Sequence, residues 1–506
     1  MTMKNKLTTL LLVLAMLFTL ATPIFAETEY KDTLIWGQGA DVTSFDPHIG
    51  KETPAVEVTD QIFDTLTMLD EKGEVHPQIA ESWEAISDTE YAFKIRKGIK
   101  FHDGSDLTVE DVKYSLERAI NSDYVAYIVN FIDSVEIKDE DTVIVKTKDP
   151  YSPILRNLAV PFAAIVPKAY IESVGDDEFA LNPIGSGPYK FVSWKKGSNV
   201  KLQAFDDYFA GKAATENLEM RVIPEASQRT IALETGEIDV AYDVQANDIN
   251  KVKDNPDLEL LEDSGLTCWY ISFNQKKAPF DNKLVRQAIR HAIDMPTIIQ
   301  ALVYGAGQPA GCLIAPGVFG YSDEEPYEYD VEKAKELLKE AGYEDGFECS
   351  LWVNDNQSRI EICQAIADML KKINISCNVE IVEFGSFIQK TSNAEHDMAY
   401  FGWTTSTADA DYSYYSLLHS TQQGAPGNRS FTDDKDIDAL IEKGRTSMDD
   451  EERLEIYKEL EEILKEDSPN APLYYGNINV GVSNKVEDFV IDPNGYHKLE
   501  NVKVAK

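Results

Sequence analysis

The alternation of apolar and polar positions gives this chain its elements. Tyr91, Phe93 and Ile95 alternate with Ala92, Lys94 and Arg96, the period of a half-buried strand. Lys97-Gly98 and His102-Asp103-Gly104 turn the chain, and Thr108 with Asp111 opens a helix in capping-box fashion. Val112, Leu116, Ala119 and Ile120 then share one helical face. Residues 56–69 predict a helix that ends at a turn over 70–73. Two alternating runs around Asp139-Glu140-Asp141 predict a hairpin between 135 and 146. Residues 218–223, 226–235 and 238–242 read as strand, helix and strand, a βαβ unit that implies parallel pairing.

The second half repeats this grammar. Residues 268–274 form a strand, and Leu284, Val285, Ala288, Ile289 and Ala292 make the buried stripe of the next helix. Asp330 caps a helix that Gly342 ends. Residues 347–353, 358–373 and 375–383 give a second βαβ unit, followed by a strand over 397–403. Two acidic helices, 436–446 and 450–466, precede a return strand over 473–480. The pattern is mixed α/β throughout.

Lys4 and Lys6, an apolar run from Leu10 to Leu20 and Ala21-Thr22-Pro23-Ile24-Phe25-Ala26 have the three-part form of a secretory signal. Cleavage is expected after Ala26, and with no cysteine near that site no lipid attachment is expected. The formal charge of the 506-residue chain is −40, and losing the two signal lysines makes it −42. Such an acidic surface repels nucleic acid and anionic lipid, which removes both as partners.

The five cysteines (Cys268, Cys312, Cys349, Cys363, Cys377) form no C-x-x-C or zinc spacing and read as small buried hydrophobes. An oxidising compartment would permit a Cys349–Cys377 disulfide across neighbouring strands. The seven histidines are scattered, without H-x-x-H or H-E-x-x-H, so no metal site and no cofactor are expected. No G-x-S-x-G or zincin motif supports the rival reading of a secreted hydrolase.

Ile79-Ala80-Glu81-Ser82-Trp83, then Phe93-Lys94-Ile95-Arg96-Lys97-Gly98-Ile99-Lys100-Phe101-His102-Asp103-Gly104, then the Asp111-Val112 helix form one string. It resembles the signature of the bacterial family 5 extracellular solute-binding proteins. Gly185-Ser186-Gly187-Pro188-Tyr189, Pro279-Phe280-Asp281-Asn282 and Gly402-Trp403 extend the resemblance over the mature chain. It implies a two-lobed periplasmic-binding-protein fold of class II, with two crossing strands and an extra subdomain in the first lobe. The expected limits are 27–271 for the first lobe (subdomain about 55–185), 272–479 for the second, and 480–506 for a return to the first. It implies a non-enzymatic subunit, expected as a monomer, that hands small peptides to the permease of an ABC importer; the signal segment without a lipid-attachment cysteine points to a periplasm. Nickel-chelate, haem and oligosaccharide binders are the rivals within the family.

Arg359 is the leading site residue. Ser358 and Glu361 read as a capping box that puts Arg359 in the first helical position, beyond the end of a βαβ strand, where open α/β sheets bind ligands. A cation there opposes the helix dipole, and an anionic ligand would reverse the sign. A surface arginine paired with Glu361 or Asp355 fits the same pattern. The resemblance tips the choice, because peptide-binding members place a carboxylate-anchoring arginine near the start of this helix. They also hold the peptide amine with an aspartate shortly after Gly-Trp. Here Thr404 to Thr407 come first, and the acids follow at Asp409 and Asp411, so either could serve. Trp403 reads as a cover for the cleft or as a core aromatic. Asp46, in Phe45-Asp46-Pro47, matches a family motif near the cleft, and His419 is the residue to examine for a metal chelate.

Overall fold

The structure, a computed structural model, describes residues 28–50 and 52–506; the expected signal segment lies outside them. Its spine is an eleven-stranded sheet with two long antiparallel strands at the centre, Leu258–Phe273 and Asn470–Ser483. On one flank Asn470–Ser483 continues into Val240–Tyr242, Thr33–Gln38, Asn217–Val222, Asn199–Ala204 and Tyr189–Lys195. On the other, Leu258–Phe273 continues into Met398–Thr404, Phe347–Asn354 and Ile375–Val382. The two central strands therefore cross between two α/β lobes.

Both βαβ units are present. Thr33–Gln38 lies between Asn217–Val222 and Val240–Tyr242 and is parallel to both, while Phe347–Asn354 and Ile375–Val382 pair in parallel. A separate four-stranded sheet, in the order Ala80–Ser87, Glu90–Ile95, Thr142–Thr147, Ile132–Asp139, carries the helix Val109–Ile120 on its own core. Tyr91, Phe93 and Ile95 are buried in that core, and Thr108 and Asp111 form the capping box. The C-terminal tail lies against the first lobe: Ala505 bridges Tyr30, and His497 is buried against Glu57.

The helix expected over 56–69 is cut short. It runs only over Thr53–Thr59, and Thr67–Leu69 is a strand. The reason lies in the Gly-Ser-Gly-Pro-Tyr turn. Gly187 N–H donates to Ile62 O at 2.8 Å and Tyr189 N–H to Gln61 O at 3.0 Å, so these carbonyls cannot serve a helix. A Cβ on Gly187 would lie 2.6 Å from the Ile62 carbonyl carbon, which is why glycine is needed there.

All five cysteines are free thiols. Cys349 and Cys377 stand opposite one another in the parallel register, and the Cys377 thiol together with burial pushes the Cys349 pKa up.

Candidate ligand-binding site

Phe347–Asn354 and Met398–Thr404 run parallel, with Leu351 opposite Met398 and Trp352 opposite Ala399. Beyond their C-terminal ends lies a cavity of about 460 Å³, the usual place for a ligand in an open α/β sheet. Its lining is aromatic and aliphatic apart from a few hydroxyl and amide groups and two arginines, Arg359 and Arg429; among the described residues no carboxylate lines it. Every lining residue falls within 267–429, so the first crossing strand and the second lobe build the whole wall.

Arg359 enters from the helix Gln357–Leu370. The cap is Asn356, whose side chain accepts from Arg359 N–H at 3.2 Å, so Arg359 is the third helical residue and not the first. The Ser358–Glu361 box does not form, because Glu361 accepts instead from the Gln357 amide at 2.7 Å. Arg359 still stands in the first turn, where the dipole favours an anion. Its guanidinium donates to Asn354 Oδ1 at 3.0 Å and lies 4.7 Å from the Trp269 ring centre. Neither Glu361 nor Asp355 pairs with it, and among the described residues it has no ion pair.

Trp403 and Thr404 share this cavity with Arg359. Trp403 stacks on Tyr412 (5.3 Å between ring centres, 28° between planes) and donates its indole N–H to Ser413 Oγ at 3.2 Å. Thr404 and Thr267 share a hydroxyl hydrogen bond of 2.7 Å. Trp269 stacks on Tyr400 and Tyr474, and its ring occupies the space of a side chain at position 402: a Cβ there would come within 2.7 Å. Met398–Thr404 pairs with the crossing strand along its length, but with Phe347–Asn354 only at Met398 and Ala399. Among the described residues, the outer backbone edge of residues 401–404 has no strand partner.

The other expected site residues lie elsewhere. Asp409 is fully buried, caps the helix Ala410–Leu418 through the Asp411 N–H, and pairs with Arg453 at 2.7 Å. Asp411 is buried against Arg445 at 3.3 Å and accepts from the Tyr151 hydroxyl at 3.1 Å. Neither aspartate lines the cavity. Asp46 lies in the first lobe, gripped at both oxygens by Arg118. His419 is buried beside Thr421 and Glu442, away from the cavity. Among the described residues only Asp70, Glu74 and His76 gather as three ligand-type side chains, on a hairpin outside this lining.

Sequence reasoning passed over Arg429. It ends the loop Ala425-Pro426-Gly427-Asn428-Arg429, is 7 % exposed, and lines the cavity with Arg359. The available signal was a lone cation closing a Gly-Pro loop just before an acidic helix.

Known proteins resemble this chain over most of its length. Residues 74–425 match the model of the bacterial extracellular solute-binding proteins, family 5. The dipeptide-binding protein of Escherichia coli (strain K12) is 31% identical over 462 residues, covering 85% of this chain and 86% of that one. The heme-binding protein A of Haemophilus influenzae is 30% identical over 462 residues, covering 85% and 84%. The solved structure of an ABC transporter-associated periplasmic binding protein from Helicobacter pylori, in complex with the peptide STSA, superposes with a TM-score of 0.81. It is 30% identical and covers 94% of this chain and 98% of that one.

Proposed function

The chain belongs to the bacterial extracellular solute-binding proteins of family 5, the non-enzymatic ligand-capturing subunits of ABC importers, and on that premise we propose that it binds small peptides by their C-terminal carboxylate. The observation that carries this reading is Arg359: a guanidinium in an aromatic cavity, on the first turn of a helix, with no carboxylate of its own. A peptide carboxylate would take the free donors of that fork in a charge-assisted pair. The unpaired edge of residues 401–404 supports the same reading, because an extended peptide can add to a free strand edge. The cavity falls within the range of small-molecule sites, roughly 300–1,000 Å³.

With no acid in the lining, the peptide amine falls to carbonyl and hydroxyl oxygens such as that of Thr404. The first lobe, residues 27–271, then closes over the second, residues 272–479, and excludes water from the pair. The relatives named for dipeptide and for a bound tetrapeptide favour peptide over the heme named for another. The protein works as a monomer in a periplasm and presents its loaded form to the permease.

Calorimetry with pooled dipeptides and the matching C-terminal amides tests this reading. Amidation of the peptide, or Arg359→Ala in the protein, is expected to weaken binding by at least about 2 kcal/mol, roughly 30-fold. Equal affinity for acids and amides, or a variant that binds like wild type, removes Arg359 from the role.

A further inference from the structure

The cavity holds a second cation, Arg429, whose backbone is held by hydrogen bonds while its guanidinium is not. The backbone around Arg429 is fixed: Asn428 donates its amide to Leu418 O, His419 O and Thr432 O, and accepts from Thr432 N–H and the Ser430 hydroxyl. Its own N–H donates to Gln422 O, its carbonyl accepts from Gly424 N–H, and the His396 ring bonds Arg429 O at 3.1 Å. Asn428, Ser430 and Thr432 are buried with their side chains satisfied. The Arg429 guanidinium between them is not. Its Nε and Nη1 find no hydrogen-bond partner, and Nη2 has only a 3.5 Å contact to Ala425 O. Among the described residues it makes no ion pair, and burial works against its charge.

A charge so buried and unpaired is costly, and a fold that only needed to fill this space would use an apolar side chain. A chain of net charge −40 has carboxylates to spare, yet none is placed here. We propose that Arg429 is a second anion anchor of the cavity, so that the ligand is a small peptide carrying a second carboxylate, on an acidic side chain, besides the one taken by Arg359. This inference rests on the peptide reading of the same cavity. The fixed backbone sets the guanidinium in place before binding, so little ordering is left when the second carboxylate arrives.

The test compares two dipeptide pools that differ only in charge, Glu-X with X-Glu against Gln-X with X-Gln. Binding is read by calorimetry and by the rise in thermal midpoint, on wild type, Arg429→Met and Arg429→Lys. Wild type is expected to bind the acidic pool at least tenfold more tightly. Arg429→Met brings the two pools within about twofold while still discriminating free C-termini from amides, and Arg429→Lys restores part of the preference. A purely structural arginine would leave the acid-to-amide ratio unmoved, and its loss would lower the midpoint of ligand-free protein. Equal binding of both pools to wild type, or an acidic preference that survives Arg429→Met, overturns the second anchor and leaves the peptide reading standing. If neither pool binds, the peptide reading falls and this inference falls with it.

Discussion

Two regions of the molecule treat buried arginines in opposite ways. Around Asp409 and Asp411, Arg453, Arg445 and Arg156 converge on two carboxylates within 4 Å, with Phe319 beneath two of the guanidiniums. Burial works against the Arg453 charge, but Asp409 and Tyr457 together more than offset it and hold its pKa above the usual guanidinium value. Tyr151, Ser152 and Arg156 come from the first lobe, so the cluster also fastens the lobes to one another through Tyr151–Asp411 and Ser152 N–H to Arg445 O. Some tens of residues away in sequence, Arg429 is as well buried, and burial pulls its pKa down with only Tyr270 opposing. The first region holds its counter-ions permanently. The second lacks them, and in a binding protein the counter-ion is the ligand.

That contrast ranks the mutations. Asp409→Asn strips Arg453 of its buried partner and is expected to cost about 3–5 kcal/mol of stability, read by chemical denaturation; a variant as stable as wild type would dissolve the distinction between the regions. Arg359→Ala should do the reverse, losing about 2 kcal/mol of peptide binding while stability stays within about 0.5 kcal/mol, since the side chain is half-exposed.

Glu461 sharpens the comparison from the acidic side. It is buried on the same helix as Arg453, accepts from the Tyr414 hydroxyl, and has no ion pair among the described residues. Burial raises its pKa to about 7. Between the ordinary glutamate value and about pH 7 the folded chain keeps a proton that the unfolded chain has released. Its contribution is therefore full at low pH and is lost as the pH rises through 7. Glu461→Gln should remove of order 1–3 kcal/mol from the fall in stability between pH 5 and 8; an unchanged slope would assign that fall to other groups. Smallest of all, Arg429→Met should leave ligand-free stability unchanged or raise it by less than about 1 kcal/mol. A loss of several kcal/mol would mean that Arg429 is structural.

The sequence carried the architecture because local patterns and global pairing agree here. The Tyr91-Phe93-Ile95 alternation, the Thr108 capping box and the Asp330 cap are contacts within a few residues, and each is present in the fold. Residues 56–69 misled because their carbonyls are claimed by Gly187 and Tyr189, more than a hundred residues on. Arg359 was legible as the cation at a strand-to-helix junction, although Asn356 is the cap and not Ser358. The partners of Asp409 and Asp411 were not legible, since Arg445 and Arg453 follow more than thirty residues later with no local mark. Arg429 escaped for the converse reason: what distinguishes it is the absence of a partner, and absence leaves no spacing to read.

Native mass spectrometry of protein purified directly from its host tests most directly whether the free arginines await a peptide carboxylate. A co-purified mass matching a small peptide, enriched in glutamate or aspartate and lost from Arg359→Ala, is the result expected. A metal-containing, haem or sugar mass retained by that variant would contradict it.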